Sequence, residues 1–169
     1  MRIALISTEK LPVPPIEGGA VQLYINGILP YIKDKHEITV FTVKHEKLRD
    51  YEIIDGVRFI RMDAIPKEIY IDNVIKSIGN EYDLVHVFNR PKWVKLISTK
   101  LPEVKISLSI HNEMFLPKKI SAQEAEKCVK RVEFINTVSK FIANGVEEFY
   151  PAAKDKLRVV YSAQPILLS

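Results

Sequence analysis

The segment Ser7–Ala20 places a glycine pair directly before a predicted helix, a pattern that can bind phosphate. It reads Ser-Thr-Glu-Lys-Leu-Pro-Val-Pro-Pro-Ile-Glu-Gly-Gly-Ala and joins a short apolar run, Ile3–Ile6, to an amphipathic helical pattern. The pair Gly18-Gly19 allows a sharp turn and a close backbone approach to a ligand, and the free amides at a helix start can hold a phosphate. Two glycines before a helix can also make nothing more than a turn. A phosphate-bearing substrate is therefore the first hypothesis, and the bare turn is its alternative.

Further polar residues follow two predicted strands, where ligands bind in parallel sheets. The imidazole of His111, next to Asn112 and Glu113, can form hydrogen bonds or accept a proton near neutral pH. Asn89 and Arg90 could hold an anionic or hydroxylated substrate. Both groups have a structural alternative, because a lone histidine is more often structural and an arginine after a strand is often a surface ion-pair partner.

A third polar pair, Ser139-Lys140, also follows a predicted strand, but a helix cap already explains the serine. His86 lies inside an apolar strand and is predicted to be a core residue with satisfied hydrogen bonds. The four histidines show no ligand spacing, and Cys128 is the only cysteine, so we expect neither a metal site nor an internal disulfide. The single cysteine favours a reducing, cytoplasmic environment.

Two elements must position these residues: strands that end at the polar groups and helices that follow them. Apolar runs of strand length alternate with amphipathic helical patterns from end to end, which predicts an α/β fold with a doubly wound, mostly parallel sheet. The predicted strands are Ile3–Ile6, Ile38–Val43, Leu84–Phe88, Lys105–Ile110, Glu133–Val138 and Leu157–Tyr161. The first helix is expected to bury Val21, Tyr24, Ile28, Tyr31 and Ile32, and a capping box predicts another helix over Ala122–Arg131.

A small hairpin interrupts the alternation. The runs Tyr51–Ile54 and Val57–Arg61 flank Asp55-Gly56, which predicts a type I′ turn between two antiparallel strands. Such an insertion is unusual in a plain doubly wound domain. The second helix is expected to start near Pro66 and to use Gly79 as its C-terminal cap.

Length and charge exclude several classes of protein. The chain has 169 residues, of which 47% are hydrophobic, enough to bury one good core. Its net charge of +4 is modest, and the basic spots Lys118-Lys119 and Lys127–Arg131 are not interleaved with aromatic residues, so we do not expect nucleic acid as a partner. Ile3–Ile6 is far too short for a membrane span, and no transmembrane segment is predicted.

The first strand-to-helix connection argues against a dehydrogenase and a P-loop enzyme. It is long and proline-rich and ends in Glu17–Ala20, so it has neither the Gly-x-Gly-x-x-Gly fingerprint nor a lysine after the glycines. The length of the loop leaves space for a partner bulkier than a dinucleotide. Glu9 and Lys10 within it could contact polar groups of that partner.

Several segments, in the same order along the chain, resemble the N-terminal half of retaining, family-four GT-B glycosyltransferases. They are Glu17–Ala20, Tyr82–Phe88, Ser109–Asn112, Val138-Ser139 and Val159–Tyr161. Each motif is weak by itself, but together they cover essentially the whole chain.

The resemblance implies a Rossmann-like, acceptor-side domain with this fold and a catalytic role for His111, which would contact the transferred sugar. It implies that Gly18 and Gly19 bind the donor phosphate, with a nucleotide sugar as substrate and with no cofactor or metal. The acceptor would be a carbohydrate or glycoconjugate, and the reaction would serve spore coat or cell-envelope polysaccharide synthesis. The residues that would contact the acceptor are Glu9, Asn89, Arg90, Asn112, Glu113, Ser139 and Lys140. The full-length protein would then be a hexosyltransferase, associated with the cytoplasm or the spore coat.

The end of the chain departs from the family pattern. The family continues after the last strand with Asn-Gly-Val-Asp, whereas this chain has Ser162–Pro165. We therefore expect residues 1–161 to form the acceptor-side domain, 162–169 to begin an interdomain linker, and the C-terminal donor-binding domain to be missing. The pattern favours a truncated transferase that is inactive alone, and a stand-alone, non-catalytic carbohydrate-binding or spore coat module is the alternative.

Overall fold

The chain forms an α/β fold built on an eight-stranded, mostly parallel sheet, as predicted. The computed structural model describes residues 1–161, so the predicted linker at 162–169 lies outside the described residues. The strands are β1 (Arg2–Ile6), β2 (Glu37–Val43), β3 (Tyr51–Ile54), β4 (Val57–Met62), β5 (Leu84–Phe88), β6 (Lys105–Ile110), β7 (Ile135–Thr137) and β8 (Leu157–Val159). The helices are α1 (Ala20–Ile32), α2 (Ile69–Ser77), α3 (Trp93–Lys100), α4 (Ala122–Arg131) and α5 (Lys140–Phe149), and a 3₁₀ helix covers Pro151–Lys156. The strand order is β3-β4-β2-β1-β5-β6-β7-β8.

Residues 1–85 and 86–161 make two compact units. In the first unit, β2 pairs in parallel with β1 on one side and with β4 on the other, while β3 pairs with β4 antiparallel. Asp55 and Gly56 have φ angles of 51° and 82°, which is the pair of positive values that a type I′ turn needs. The predicted hairpin is therefore confirmed.

The buried face of α1 differs from the predicted one. The structure buries Val21, Gln22, Ile25 and Leu29, whereas Tyr31, predicted to be buried, is 70% exposed. The prediction counted only apolar side chains, and the real face includes a glutamine whose amide is satisfied by the preceding loop. A polar residue can occupy a buried helix position when its hydrogen bonds are made inside the protein.

The C-terminal end of α2 also corrects the prediction. The helix begins at Ile69, after Pro66, and ends at Ser77, and the next residue, Ile78, is already extended with φ −71° and ψ 125°. Ile78 is only 1% exposed, so the extended backbone places its side chain in the core. Gly79 consequently does not adopt the left-handed conformation of a glycine cap.

In the second unit, β7 pairs in parallel with β6 and with β8. The Oγ of Ser121 accepts the backbone N–H of Glu124 at 3.2 Å, and α4 has the predicted bounds. The two units have their own apolar cores. The largest fully buried side chains are Tyr70, Phe41, Ile6, Ile25, Ile78 and Val13 in the first unit and Phe88, Ile97, Ile106, Leu108, Ile110 and Ile135 in the second.

Candidate functional site

The glycine pair precedes a helix start without a side-chain cap in the first unit. Gly18 and Gly19 have φ angles of 90° and 93°, and Gly19 is the residue that immediately precedes α1. Within residues 1–161, no side chain caps this helix start, and the first turn holds no acidic residue. Amides at an uncapped helix start point outward with the positive end of the helix dipole, so they can hold an anion.

A buried glutamine fixes the loop that precedes these amides. Gln22, 3% exposed on α1, uses its Nε2 to donate to Thr8 Oγ1 at 2.9 Å and to the carbonyl of Leu11 at 3.1 Å, with Ser7 Oγ at 3.5 Å. One side chain thus joins the first turn of the helix to the root of the loop. Sequence reasoning missed Gln22, although a glutamine three positions after the glycine pair, between apolar residues, was the available signal.

The two glycines are required for different reasons. A Cβ on Gly19 would lie 2.2 Å from Gln22 Oε1 and 3.0 Å from Leu11 Cδ1, so a larger residue must displace the glutamine. A Cβ on Gly18 would meet nothing within 4 Å, and only its positive φ favours glycine there. Gly19 is therefore the residue at which the loop packs closely against the helix.

The root of the same loop is held by a buried tyrosine. The Tyr70 hydroxyl donates to the carbonyls of Ser7 and Phe41 at 2.8 and 3.0 Å. Burial, followed by the negative charge of Glu9, raises the pKa of Tyr70 well above its usual value. Glu9 thus lies close enough to Tyr70 to act on it electrostatically. It is half-buried, whereas the adjacent Lys10 is exposed.

In the second unit, Asn89 holds the backbone of His111. Asn89 is 6% exposed and has a φ of 57°, which is uncommon for a residue other than glycine. Its backbone N–H donates to the carbonyl of Ser109 at 2.7 Å, and its Oδ1 accepts the backbone N–H of His111 at 3.0 Å. Two separately predicted site residues are thus brought together, and Asn89 uses its side-chain oxygen to position the backbone directly after β6.

The His111 ring is neutral at physiological pH. Burial lowers its pKa from the usual 6.5 to about 4, and the ring lies edge-on to Phe88 with a centroid separation of 6.2 Å. A group with this pKa is a weak base near pH 7 but a good neutral partner for hydroxyl groups. The geometry therefore fits hydrogen bonding to a polar ligand better than proton abstraction.

His86 is a core residue, as predicted. Its Nδ1 and Nε2 lie 2.5 Å from Ser107 Oγ and 2.6 Å from Ser109 Oγ, so both ring nitrogens have hydroxyl partners. Burial, followed by the nearby His111, lowers its pKa from 6.5 to about 3. His86 is therefore neutral at neutral pH, and both of its ring nitrogens are engaged inside the protein.

The other predicted ligand residues of this unit occupy varied environments. Arg90 donates from Nη1 to the Asn89 carbonyl at 2.7 Å and stacks over the Trp93 ring at 5.8 Å. Asn112 and Glu113 are exposed, and both line an apolar cavity of about 220 Å³. The wall of this cavity opposite the 112–116 loop is formed by α5.

The serine at the start of α5 is explained by capping. Ser139 Oγ accepts the backbone N–H of Ile142 at 3.2 Å, which is the predicted cap, and the Ser139 carbonyl accepts the Thr137 hydroxyl at 3.1 Å. Lys140 is exposed on the first turn. The structure therefore assigns Ser139 a structural task and leaves the role of Lys140 as a prediction.

Metal ligation and membrane insertion find no support within residues 1–161. No group of three or more His, Cys, Asp or Glu side chains in that range could hold a metal ion. Over the same residues, every helix is too short or too polar to cross a bilayer.

Two proteins of Bacillus subtilis (strain 168) are similar to this chain in amino-acid sequence. Spore coat protein SA is 44% identical over 162 residues, which make up 96% of the chain and 42% of that protein. "Putative glycosyltransferase YtcC" is 42% identical over 163 residues, 96% of the chain and 39% of that protein. Both proteins are homologues of this chain. The chain spans about two fifths of the length of these curated relatives, and no protein-family model matches it.

The match to spore coat protein SA confirms a similarity that is visible in individual segments. The sequence predicted this similarity from Thr8–Pro14, Phe88–Pro91 and His111–Phe115, and the match extends over 162 residues. These segments contain the loop before the glycine pair and the two strand ends at Asn89 and His111.

A solved structure shows the fold. The structure described as "Trehalose-6-phosphate from E. coli bound with UDP-2-fluoro glucose" matches with a TM-score of 0.50 and 6% sequence identity, over 88% of this chain and 42% of that one. At this identity the likeness concerns fold alone. It confirms the predicted α/β fold class.

Proposed function

We propose that the protein is the N-terminal, acceptor-side half of a retaining glycosyltransferase that moves a hexosyl group from a nucleotide sugar to a carbohydrate or glycoconjugate acceptor. The main structural support is the uncapped start of α1 behind Gly18 and Gly19. The homologues and the fold support a glycosyltransferase domain, one of the homologues being named as a glycosyltransferase.

The donor diphosphate would lie on the backbone amides at the start of α1. Hydrogen-bond donors that are fixed before the reaction stabilise developing charge without reorganisation, and this stabilisation usually contributes more to such catalysis than any other effect. Gln22 holds the loop in place through Thr8 and Leu11, so the amides are fixed in advance. The proposal requires no metal ion and no cofactor.

His111 would hydrogen-bond a hydroxyl group of the transferred sugar. Its lowered pKa keeps the ring neutral, so it binds the sugar without placing a positive charge beside an oxocarbenium-like centre. Asn89 keeps the His111 backbone in position, which makes Asn89 a positioning residue in this mechanism. The proposed acceptor contacts in the second unit remain Asn89, Arg90, Asn112, Glu113, Ser139 and Lys140. Glu9 remains a proposed acceptor contact in the first unit.

Retention of configuration would follow from attack on the face that the leaving group departs from. The bond between the anomeric carbon and the phosphate oxygen breaks, the acceptor oxygen bonds to the same carbon, and the acceptor proton passes to the leaving phosphate. No side chain of this chain then has to act as a strong base, which agrees with the low pKa of His111.

A second candidate is a stand-alone, non-catalytic spore coat or carbohydrate-binding module. The observation in its favour is the 44% identity to spore coat protein SA, whose name describes a location and not a reaction.

The proposal that the transferase is cytoplasmic rests on its single cysteine, Cys128. Burial raises the pKa of the Cys128 thiol to about 12. Such a thiol stays protonated and poorly reactive.

One assay separates the two candidates. The full-length protein is incubated with a panel of nucleotide sugars, and the release of nucleoside diphosphate is measured with and without cell-envelope saccharides. If the protein is a retaining transferase, it should release nucleoside diphosphate with one of the donors. NMR should then show a product that has the same anomeric configuration as that donor. The 169-residue chain alone is expected to be inactive, since transfer needs donor and acceptor held together. No release by the full-length protein with any donor favours the module.

A further inference from the structure

The segment from Ser7 to Gly19, which leads into α1, is called the glycine loop below. Val13 lies in its middle, and two residues on neighbouring strands hold the backbone N–H and the carbonyl of Val13. Val13 is fully buried; its N–H donates to Thr42 Oγ1 at 3.0 Å and its carbonyl accepts from Arg61 Nη2 at 3.1 Å. Thr42 on β2 and Arg61 on β4 are direct partners in the parallel register. The loop is therefore fixed at its centre as well as at its root.

Arg61 is a buried cation whose counter-ion comes from the hairpin. Its side chain is fully buried, and Nη1 donates to Glu52 Oε1 at 2.7 Å and to the Arg49 carbonyl at 2.6 Å. The guanidinium also lies 5.2 Å from the centre of the Phe59 ring. Burying a charge is costly unless it is paired and hydrogen-bonded, so this arrangement calls for a structural reason.

We propose that the β3–β4 hairpin is a brace for the glycine loop and that Arg61 is the positioning residue that transmits it. Strand β3 supplies Glu52, Glu52 neutralises Arg61, and Arg61 holds the carbonyl of Val13. This inference rests on the proposed donor site at Gly18 and Gly19, because the braced segment leads directly into that pair. It gives a purpose to an insertion that the doubly wound fold itself does not need.

The brace orders the loop before any ligand binds. The segment from Ser7 to Gly19 has no regular secondary structure, so each of its residues gains freedom when a contact is lost. Gln22 holds the loop near Thr8 and Leu11, whereas the backbone of Val13 is held from β2 and β4. Loss of Arg61 is expected to loosen the part that approaches the glycines.

Amide exchange of the 169-residue chain tests the brace without any activity. We compare the parent with Arg61→Met and with Arg58→Met, an exposed arginine on the same strand as the matched control. Arg61→Met should speed exchange of the Val13 amide about tenfold or more, while Arg58→Met leaves it unchanged and β6 amides stay protected in both. Arg61→Lys should restore part of the protection. Parent-like Val13 exchange in Arg61→Met would overturn the brace.

Glu52→Gln is a second test variant, used in case Arg61→Met does not fold. It keeps a hydrogen-bond acceptor for Arg61 but removes the charge, so it should produce the same local change to a smaller degree. If β6 amides lose protection in Arg61→Met, the Glu52→Gln result decides alone. Val13 exchange equal to the parent in that variant contradicts the proposal.

Kinetics of the full-length protein distinguish positioning from plain stability. If the hairpin braces the loop, Arg61→Met should raise the donor KM several-fold and leave the acceptor KM unchanged. Both values are measured at a temperature well below the melting temperature of the variant. A lowered melting temperature with a parent-like donor KM would reduce Arg61 to a structural role and overturn the positioning claim. If the parent itself transfers no sugar, the proposed function fails, and the exchange result still decides whether the hairpin braces the loop.

Discussion

The side-chain oxygen of Asn89 accepts the backbone N–H of His111 at 3.0 Å. Asn89 does this from a left-handed conformation, with φ 57°, directly after β5. Asparagine tolerates that conformation better than most residues, and its short side chain reaches a backbone group across the strand end. Asn89, which sequence reasoning assigned to acceptor binding, therefore also positions the backbone of another candidate residue, His111.

Replacing Asn89 should separate its conformation from its hydrogen bond. Asn89→Gly keeps the positive φ but removes the acceptor, whereas Asn89→Asp keeps both. We expect Asn89→Gly to lower turnover of the full-length enzyme by about tenfold, because a loss of roughly 1.4 kcal/mol of positioning has that effect. Asn89→Asp should stay within a few-fold of the parent. Equal activity of the glycine variant and the parent would show that the Asn89 hydrogen bond does not matter to His111.

His111→Ala should lower turnover strongly and leave the fold intact. The ring is expected to bind the transferred sugar in the transition state, and loss of one preorganised polar contact typically costs ~10²-fold in rate. Steady-state rates beside thermal melts make the test, with Lys92→Ala, an exposed residue of the same unit, as control. Unchanged turnover of His111→Ala would remove His111 from the site.

The two glycines should respond differently to substitution. Gly18→Ala and Gly19→Ala both place a side chain at a positive φ, which costs about 1 kcal/mol of stability. Only Gly19→Ala also displaces Gln22, so it should weaken donor affinity, and Gly19→Val should weaken it further. Donor affinity by calorimetry on the full-length protein is the measurement.

Adding Gln22→Ala isolates the coupling between the two residues. The double variant with Gly19→Ala should lose less stability than the sum of the single changes, because the displaced side chain is already gone. Additive losses, or equal donor affinities of the two glycine variants, would show that Gly19 does not act through Gln22.

The buried histidines predict that stability falls on acidification. In the folded protein the pKa of His86 is lowered to about 3 and that of His111 to about 4, against the ordinary value of 6.5. As pH drops below that value, the unfolded chain binds protons that the folded protein does not, so the free energy of unfolding decreases. Each unit of pKa depression corresponds to about 1.4 kcal/mol. The loss should continue until the folded pKa values are reached.

Denaturant melts from neutral pH down to the folded pKa of His111, about 4, check this dependence. His86→Phe removes one of the two groups and leaves an aromatic ring beside Phe88, so its unfolding free energy should fall less steeply with decreasing pH than that of the parent. The variant is expected to be less stable at neutral pH, since Ser107 and Ser109 lose a hydrogen-bond partner. An identical pH slope in variant and parent would contradict burial as the origin of the effect.

Local patterns predicted the elements whose causes lie within a few residues. The Ser121 cap gave α4 its bounds, Asp55-Gly56 gave the hairpin, and the apolar surroundings of His86 gave its burial. Long-range relationships escaped the sequence. Nothing near Gln22 shows that Thr8 and Leu11 will satisfy its amide.

The same limit applies to the charged and strand-end residues. Arg61 lies on the same face of β4 as the buried Val57 and Phe59. Nothing near it in the sequence shows that Glu52 will neutralise its charge or that the Val13 carbonyl will accept its hydrogen bond. The sequence places Asn89 at a strand end but does not show that its Oδ1 accepts the backbone N–H of His111. The positions of candidate residues at strand ends were thus predictable, whereas the partners that occupy them were not.

Binding of a nucleotide-sugar diphosphate to the amides at the start of α1 is the step on which the proposed mechanism depends. Hydrogen exchange of the full-length protein, with and without a saturating nucleotide sugar that it turns over, tests this step directly. We expect the donor to protect the amides of Ala20, Val21 and Gln22, and Gly19→Val to abolish this protection. Donor turnover with unchanged exchange at these three amides would contradict the mechanism.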